Sequence, residues 1–138
     1  MFDNKLPPNN EESPPIKTIL LAEDDSSFRR FIAIILEKEN YEVLAVQDGL
    51  EAMKAAMEND FDAIVADAIM PNLTGFDLCR VLRQNPKFQR IPFIMLSGLE
   101  HKEETHQADA YLLKESNIKE TLTQTLSSLF TLKELQAY

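Results

Sequence analysis

Short apolar runs alternate along this chain with stretches whose apolar residues recur every three or four positions. From Lys17 to Ala22 the chain is continuously apolar after Thr18, the pattern of a central strand covered on both faces. Phe28, Phe31, Ile32, Ile35 and Leu36 follow at helical spacing, with Ser26 or Ser27 available as N-cap. Tyr41 to Val46 predicts a second strand, and Asp48-Gly49-Leu50-Glu51 a capping box opening a helix through Glu58. Phe61 to Asp67 predicts a third strand. Pro71 breaks any immediate helix, and Thr74 caps a third one through Gln84 with Leu78, Val81 and Leu82 on its inner face. Ile91 to Leu96 and Asp109 to Leu113 read as strands four and five. Ser116 or Asn117 caps a last helix, lined on one face by Ile118, Leu122, Leu126, Leu129 and Phe130.

Strands alternating with helices in this way predict β-α-β units and a parallel sheet. The pattern weakens from Gly98 to Gln107, where little is apolar besides Leu99. A parallel crossover needs about ten residues or more, so a helix here would be short and poorly anchored. The three glycines, Gly49, Gly75 and Gly98, form neither a dinucleotide fingerprint nor a phosphate loop.

Length and composition narrow the class. A chain of 138 residues with 44% apolar content fits one domain with its own core. Residues 1–15, with Pro7, Pro8, Pro14 and Pro15 among Asn and Glu, are expected to form a flexible tail ahead of a domain over 16–138. A lone cysteine, Cys79, rules out an internal disulfide, and no basic start followed by an apolar stretch marks a secretory signal. The longest apolar run, Phe31 to Leu36, falls far short of the about 20 residues that cross a bilayer. A soluble cytoplasmic protein without membrane insertion is expected. The net charge of −9 and scattered Lys and Arg argue against direct nucleic-acid binding, which leaves proteins and small ions as partners.

Four of the apolar runs stop at groups suited to phosphoryl or cation chemistry: Glu23-Asp24-Asp25, Asp67, Ser97 and Lys114. In a parallel sheet these ends share an edge, and open α/β sheets place ligands in the crevice beyond it. Adjacent carboxylates repel unless a cation or a proton comes between them, and magnesium, with its preference for hard oxygen ligands, suits the gap. Asp67 has the chemistry of a nucleophile toward phosphorus, provided a metal and a cation neutralise the phosphoryl oxygens; Lys114 supplies such a charge and Ser97 a hydroxyl donor. Singly, each residue also reads as a cap, a turn residue or a surface lysine.

As a set they resemble the receiver domain of two-component response regulators. The resemblance runs through Ile19-Leu20-Leu21-Ala22-Glu23-Asp24-Asp25, Asp67-Ala68-Ile69-Met70-Pro71 with Thr74-Gly75-Phe76, Pro92-Phe93-Ile94-Met95-Leu96-Ser97-Gly98, and Ala108-Asp109-Ala110-Tyr111-Leu112-Leu113-Lys114. It implies a three-layer flavodoxin-like (CheY-like) α/β sandwich whose five-stranded parallel sheet has the order 2-1-3-4-5. It further implies that Asp67 is the phosphoacceptor, and that Glu23, Asp24, Asp67 and the backbone carbonyl of Ile69 hold Mg2+. Ser97 and Lys114 would contact the phosphoryl group, and Tyr111, three residues before the lysine, would be an aromatic switch moving with Ser97. A histidine kinase or histidine phosphotransfer protein would donate the phosphoryl group in a two-component system or phosphorelay. The receiver would catalyse its own phosphorylation and dephosphorylation and signal to a downstream effector protein by contact.

Two departures stand out. Glu115 occupies the position after the lysine where the family usually has proline; a non-proline cis bond costs about 2.5–4 kcal/mol, so a trans bond is expected. The interval from Ser97 to Lys114 is several residues shorter than usual, which predicts a shortened or missing fourth helix. That departure motivates an alternative, a receiver-like scaffold whose partner binding is independent of phosphorylation. A magnesium-dependent phosphohydrolase fits less well, because Ile69 stands two residues after Asp67 where a second aspartate would be the general acid.

Overall fold

The structure is a computed structural model describing residues 15–98 and 107–136. Along the chain run β1 (Thr18–Ala22), α1 (Ser26–Lys38), β2 (Glu42–Val46), α2 (Gly49–Glu58), β3 (Ala63–Asp67), α3 (Gly75–Arg83), a 3-10 turn (Pro86–Phe88), β4 (Phe93–Ser97), β5 (Ala110–Leu113) and α4 (Ile118–Gln136). Every strand pairing is parallel, and the sheet order is β2-β1-β3-β4-β5. The expected fold is the observed one.

Alternation of side chains across each strand sorts the core into two layers. Leu20, Ala22, Ile64, Ala66, Phe93 and Met95 face α2 and α3, whose Ala52, Ala55, Ala56, Leu78, Cys79 and Leu82 cover them. Ile19, Leu21, Ala63, Val65, Ile94 and Leu96 face the other way, against Ile32, Ile35 and Leu36 of α1 and Ile118, Leu122, Leu126 and Phe130 of α4. β1, β3 and β4 are buried on both faces almost throughout, whereas the edge strand β2, equally apolar in composition, is half-buried to exposed along its length.

Several local details differ from expectation. Asp25, not Ser26 or Ser27, caps α1: its side chain accepts from the Phe28 amide at 2.9 Å. Asp25 has the extended backbone of an N-cap (φ −77°, ψ 116°), whereas Ser26 and Ser27 already lie inside the helix. Asp48 caps α2 through the Glu51 amide (2.8 Å), while the Glu51 carboxylate reaches back to the Gln47 amide (3.3 Å) rather than to Asp48. On α3, Val81 is 39% exposed and Cys79 takes its place on the inner face. Strands β2 to β5 each begin one or two residues later than their apolar runs. Among the described residues no peptide bond is cis, so Lys114–Glu115 is trans as expected. No helix occurs between β4 and β5 among the described residues. The remainder of that connection, residues 99–106, and residues 1–14 of the expected tail lie outside the described residues.

Candidate functional site

The sheet order reverses between β1 and β3: from β1 the chain crosses to β2 on one side, then back to β3 on the other. Crevices at such switch points, beyond the carboxyl ends of the strands, are where open α/β sheets bind ligands. Glu23 directly follows β1, Asp67 ends β3, Ser97 ends β4, and Lys114 directly follows β5. The register sets Asp67 beside Leu96 and Ser97 beside Leu113, so the four positions stand side by side on one edge.

Backbone hydrogen bonds hold each of them. Glu23 donates its amide to the Val46 carbonyl (3.1 Å), and its own carbonyl accepts from Arg29 Nη1 (2.9 Å). Beyond Asp67, the Ala68 amide donates to the Leu96 carbonyl (2.7 Å), and the Gly75 amide returns to the Ala68 carbonyl (2.9 Å). A Cβ on Gly75 would strike the carbonyl oxygen of Asp67, so glycine at this helix start lets α3 pack directly on the strand end. The Lys114 amide donates to the Ser97 carbonyl at 2.7 Å.

The side chains converge. One carboxylate oxygen from each of Glu23, Asp24 and Asp67 lies within 4.8 Å of the others. Glu23 is fully buried, Asp67 is 6% exposed, and Asp24 faces solvent. Lys114 Nζ sits 2.8 Å from Glu23 Oε1 and donates to Asp67 Oδ2 at 3.0 Å. Glu23 Oε2 accepts from the Asp25 amide (3.0 Å), whereas Oε1, although close to the ammonium, makes no hydrogen bond. Burial pushes the Glu23 carboxyl up to about 7, with the Asp67 charge adding to it and Lys114 and the Asp25 amide opposing it. Burial by itself would lower Lys114, but its contacts with Glu23 and Asp67 outweigh that and raise it.

Three carboxylate oxygens within reach of one cation, two of them on buried residues whose charges oppose each other, fit a divalent ion that takes hard oxygen ligands and keeps some of its waters. Asp24, at the solvent side, leaves a path for entry. Ser97 is 2% exposed at the same edge. Ile69 lies two residues past Asp67, its side chain 54% exposed. Tyr111 is half-buried in β5, its ring stacked on Phe76 at 6.2 Å between centroids and 20° between planes.

Two neighbours were not anticipated from the sequence. Arg29, on the first turn of α1, clamps the Glu23 carbonyl. Phe28, assigned to the core by its spacing, has Lys114 Nζ 4.7 Å from its ring centroid. Both stand within six residues of Glu23, at a helix start that follows a strand end carrying candidate residues, and that proximity was the available signal.

A family model described as a response regulator receiver domain matches residues 19–126. The chain is 34% identical over 119 residues to the response regulator ArlR of Staphylococcus saprophyticus; the match covers 80% of this chain and 51% of that protein, so the chain spans about half its length. Among solved structures, the Vibrio cholerae chemotaxis response regulator CheY4 superposes with a TM-score of 0.76 at 30% identity, covering 83% of this chain and 99% of that one. The receiver domain of a Pseudomonas aeruginosa sensor histidine kinase, solved with a magnesium ion coordinated in its active site cleft, gives a TM-score of 0.76 at 28% identity, covering 83% and 98%.

Proposed function

This chain belongs to the response regulator receiver domain family, and from that premise we propose that Asp67 is a phosphoacceptor in a two-component system or phosphorelay. The observation that carries this reading is the meeting of Glu23, Asp24 and Asp67 within 4.8 Å, with Lys114 bridging Glu23 and Asp67.

In the proposed reaction a carboxylate oxygen of Asp67 attacks the phosphorus of a phosphohistidine presented by a histidine kinase or histidine phosphotransfer protein. A phosphorus–oxygen bond forms as the phosphorus–nitrogen bond breaks, and the histidine nitrogen keeps the electron pair. Magnesium held by Glu23, Asp24, Asp67 and the Ile69 carbonyl would supply positive charge against the phosphoryl oxygens. Lys114 turns from the carboxylates to one of those oxygens, and the Ser97 hydroxyl donates to another. The receiver thereby catalyses its own acylphosphate formation and provides the site for its hydrolysis. Ser97, drawn toward the new charge, would free space for Tyr111 to leave its half-buried place, presenting a changed surface to an effector protein.

The test is intact-mass measurement after incubation with Mg2+ and acetyl phosphate. The wild-type chain gains one phosphoryl group and Asp67→Asn gains none; labelling that survives the substitution overturns the assignment. A second reading, phosphorylation-independent partner binding by a receiver-like scaffold, draws support from the short connection between β4 and β5. Equal partner affinity with and without beryllofluoride, a phosphoryl mimic, would favour it.

A further inference from the structure

Lys114 has a third partner besides the two carboxylates. Its ammonium lies 4.7 Å from the centroid of the Phe28 ring, inside the range at which an aromatic face attracts a cation. The ring is well held. Phe28 stands in the first turn of α1, its amide bound to Asp25 Oδ1 at 2.9 Å, and its ring leans on Phe31 with centroids 5.9 Å apart and planes tilted by 42°. It is half-buried against the core layer of α1 and α4.

These partners respond differently to a bound cation. Carboxylates that ligate an ion lose much of their attraction for a neighbouring ammonium, because their charge is shared. An aromatic face is no ligand for a hard, oxygen-seeking ion, so its pull on Lys114 is unchanged. A lysine stem is long and rotamer-rich, and without a retained contact the ammonium would gain freedom toward solvent once the carboxylates were engaged.

We propose that Phe28 is a positioning residue for the phosphoacceptor site: its ring face keeps the Lys114 ammonium over the strand edge when Glu23 and Asp67 are engaged, ready for a phosphoryl oxygen. This role rests on the phosphoacceptor reading. Removing the ring face weakens capture of an anionic phosphoryl group by about three- to tenfold, the size of a half-exposed cation–π contact. It leaves Mg2+ affinity within about twofold.

The experiment is calorimetric titration of the full chain, first with Mg2+ and then with beryllofluoride in saturating Mg2+, for wild type, Phe28→Leu, Phe28→Tyr and Phe31→Leu. Phe28→Met, which keeps apolar bulk without a ring, carries the same comparison should the leucine variant unfold. The expected result is loss of beryllofluoride affinity alone in Phe28→Leu, recovery in Phe28→Tyr, and wild-type behaviour in Phe31→Leu. In the metal-free protein, the Lys114 ε-methylene protons should also show an upfield ring-current shift that vanishes in Phe28→Leu. Equal beryllofluoride affinity in wild type and Phe28→Leu, parallel loss of both affinities, or an absent ring-current shift overturns the positioning role. Failure of the wild-type chain to take up beryllofluoride overturns the phosphoacceptor reading itself, and the role of Phe28 with it.

Discussion

Without metal, this protein should become less stable as the pH rises from 5 to 8, because of Glu23. That carboxyl is fully buried, and burial pushes it from 4.5 to about 7. Between those values the folded chain holds a proton that the unfolded chain has released. The stabilising contribution is therefore fully present below 4.5 and is lost as pH rises through 7, opposite in direction to a salt-bridged carboxylate whose value is depressed. At about 1.4 kcal/mol per pH unit, the gap corresponds to roughly 3 kcal/mol, most of it lost between pH 5 and 8. Lys114, raised from an already high value, contributes no slope in this window. The assay is urea unfolding in EDTA at several pH values, for wild type and Glu23→Gln, with the difference between the two curves isolating Glu23 from His101, His106 and every other group. In saturating Mg2+ the trend should reverse, since the ion takes the ionised carboxylates and binds more tightly as they deprotonate. A difference curve that stays flat from pH 5 to 8 in EDTA, or that rises, refutes the electrostatic account of the site.

Asp24 separates function from stability: Asp24→Asn should change metal-free stability by no more than about 0.5 kcal/mol, because the residue is exposed. The same substitution should remove most of the rise in Tm on adding Mg2+, and an undiminished rise would exclude Asp24 as a ligand. Gly75→Ala drives a methyl group onto the Asp67 backbone, so a cost of about 1–3 kcal/mol in urea unfolding is expected, together with weaker Mg2+ binding in calorimetry. Arg83, 12% exposed, donates to the carbonyls of Phe88 (2.6 Å), Ile91 (2.8 Å) and Gln107 (3.1 Å) and pairs with Asp109 (3.0 Å). Arg83→Met should cost about 2–4 kcal/mol by urea unfolding, and a loss under about 0.5 kcal/mol would count against this clamp.

Much of the candidate site was legible because each of these four groups closes an apolar run. A residue that ends a buried parallel strand has only one place to be, on the carboxyl edge, and Glu23, Asp67, Ser97 and Lys114 all stand there. Phe28 shows the limit of such reading. Its helical spacing matches that of Ile32 and Ile35, and periodicity alone does not distinguish a ring packed into the core from one turned beneath a lysine 86 positions further along the chain. Val81 and Cys79 make the same point on α3: a helical stripe specifies a face only to within about one residue, and the neighbouring sheet chooses which one is covered. The capping of α1 by Asp25 rather than a serine is a competition between adjacent polar residues that local backbone geometry decides.

By itself, then, the order of residues determined the five strands, the helices that follow β1, β2, β3 and β5, the parallel sheet and the list of groups at its edge. Those follow from burial and periodicity, which are properties of short segments. The electrostatic character of the site was settled only by tertiary structure. Glu23 and Asp24 are neighbours in sequence, yet one is buried with its carboxyl raised to about 7 and the other lies in water. The difference arises because burial strips water from Glu23 and not from Asp24, with the charge of Asp67 adding to that effect and Lys114 opposing it, and all of these come from packing against segments distant in the chain.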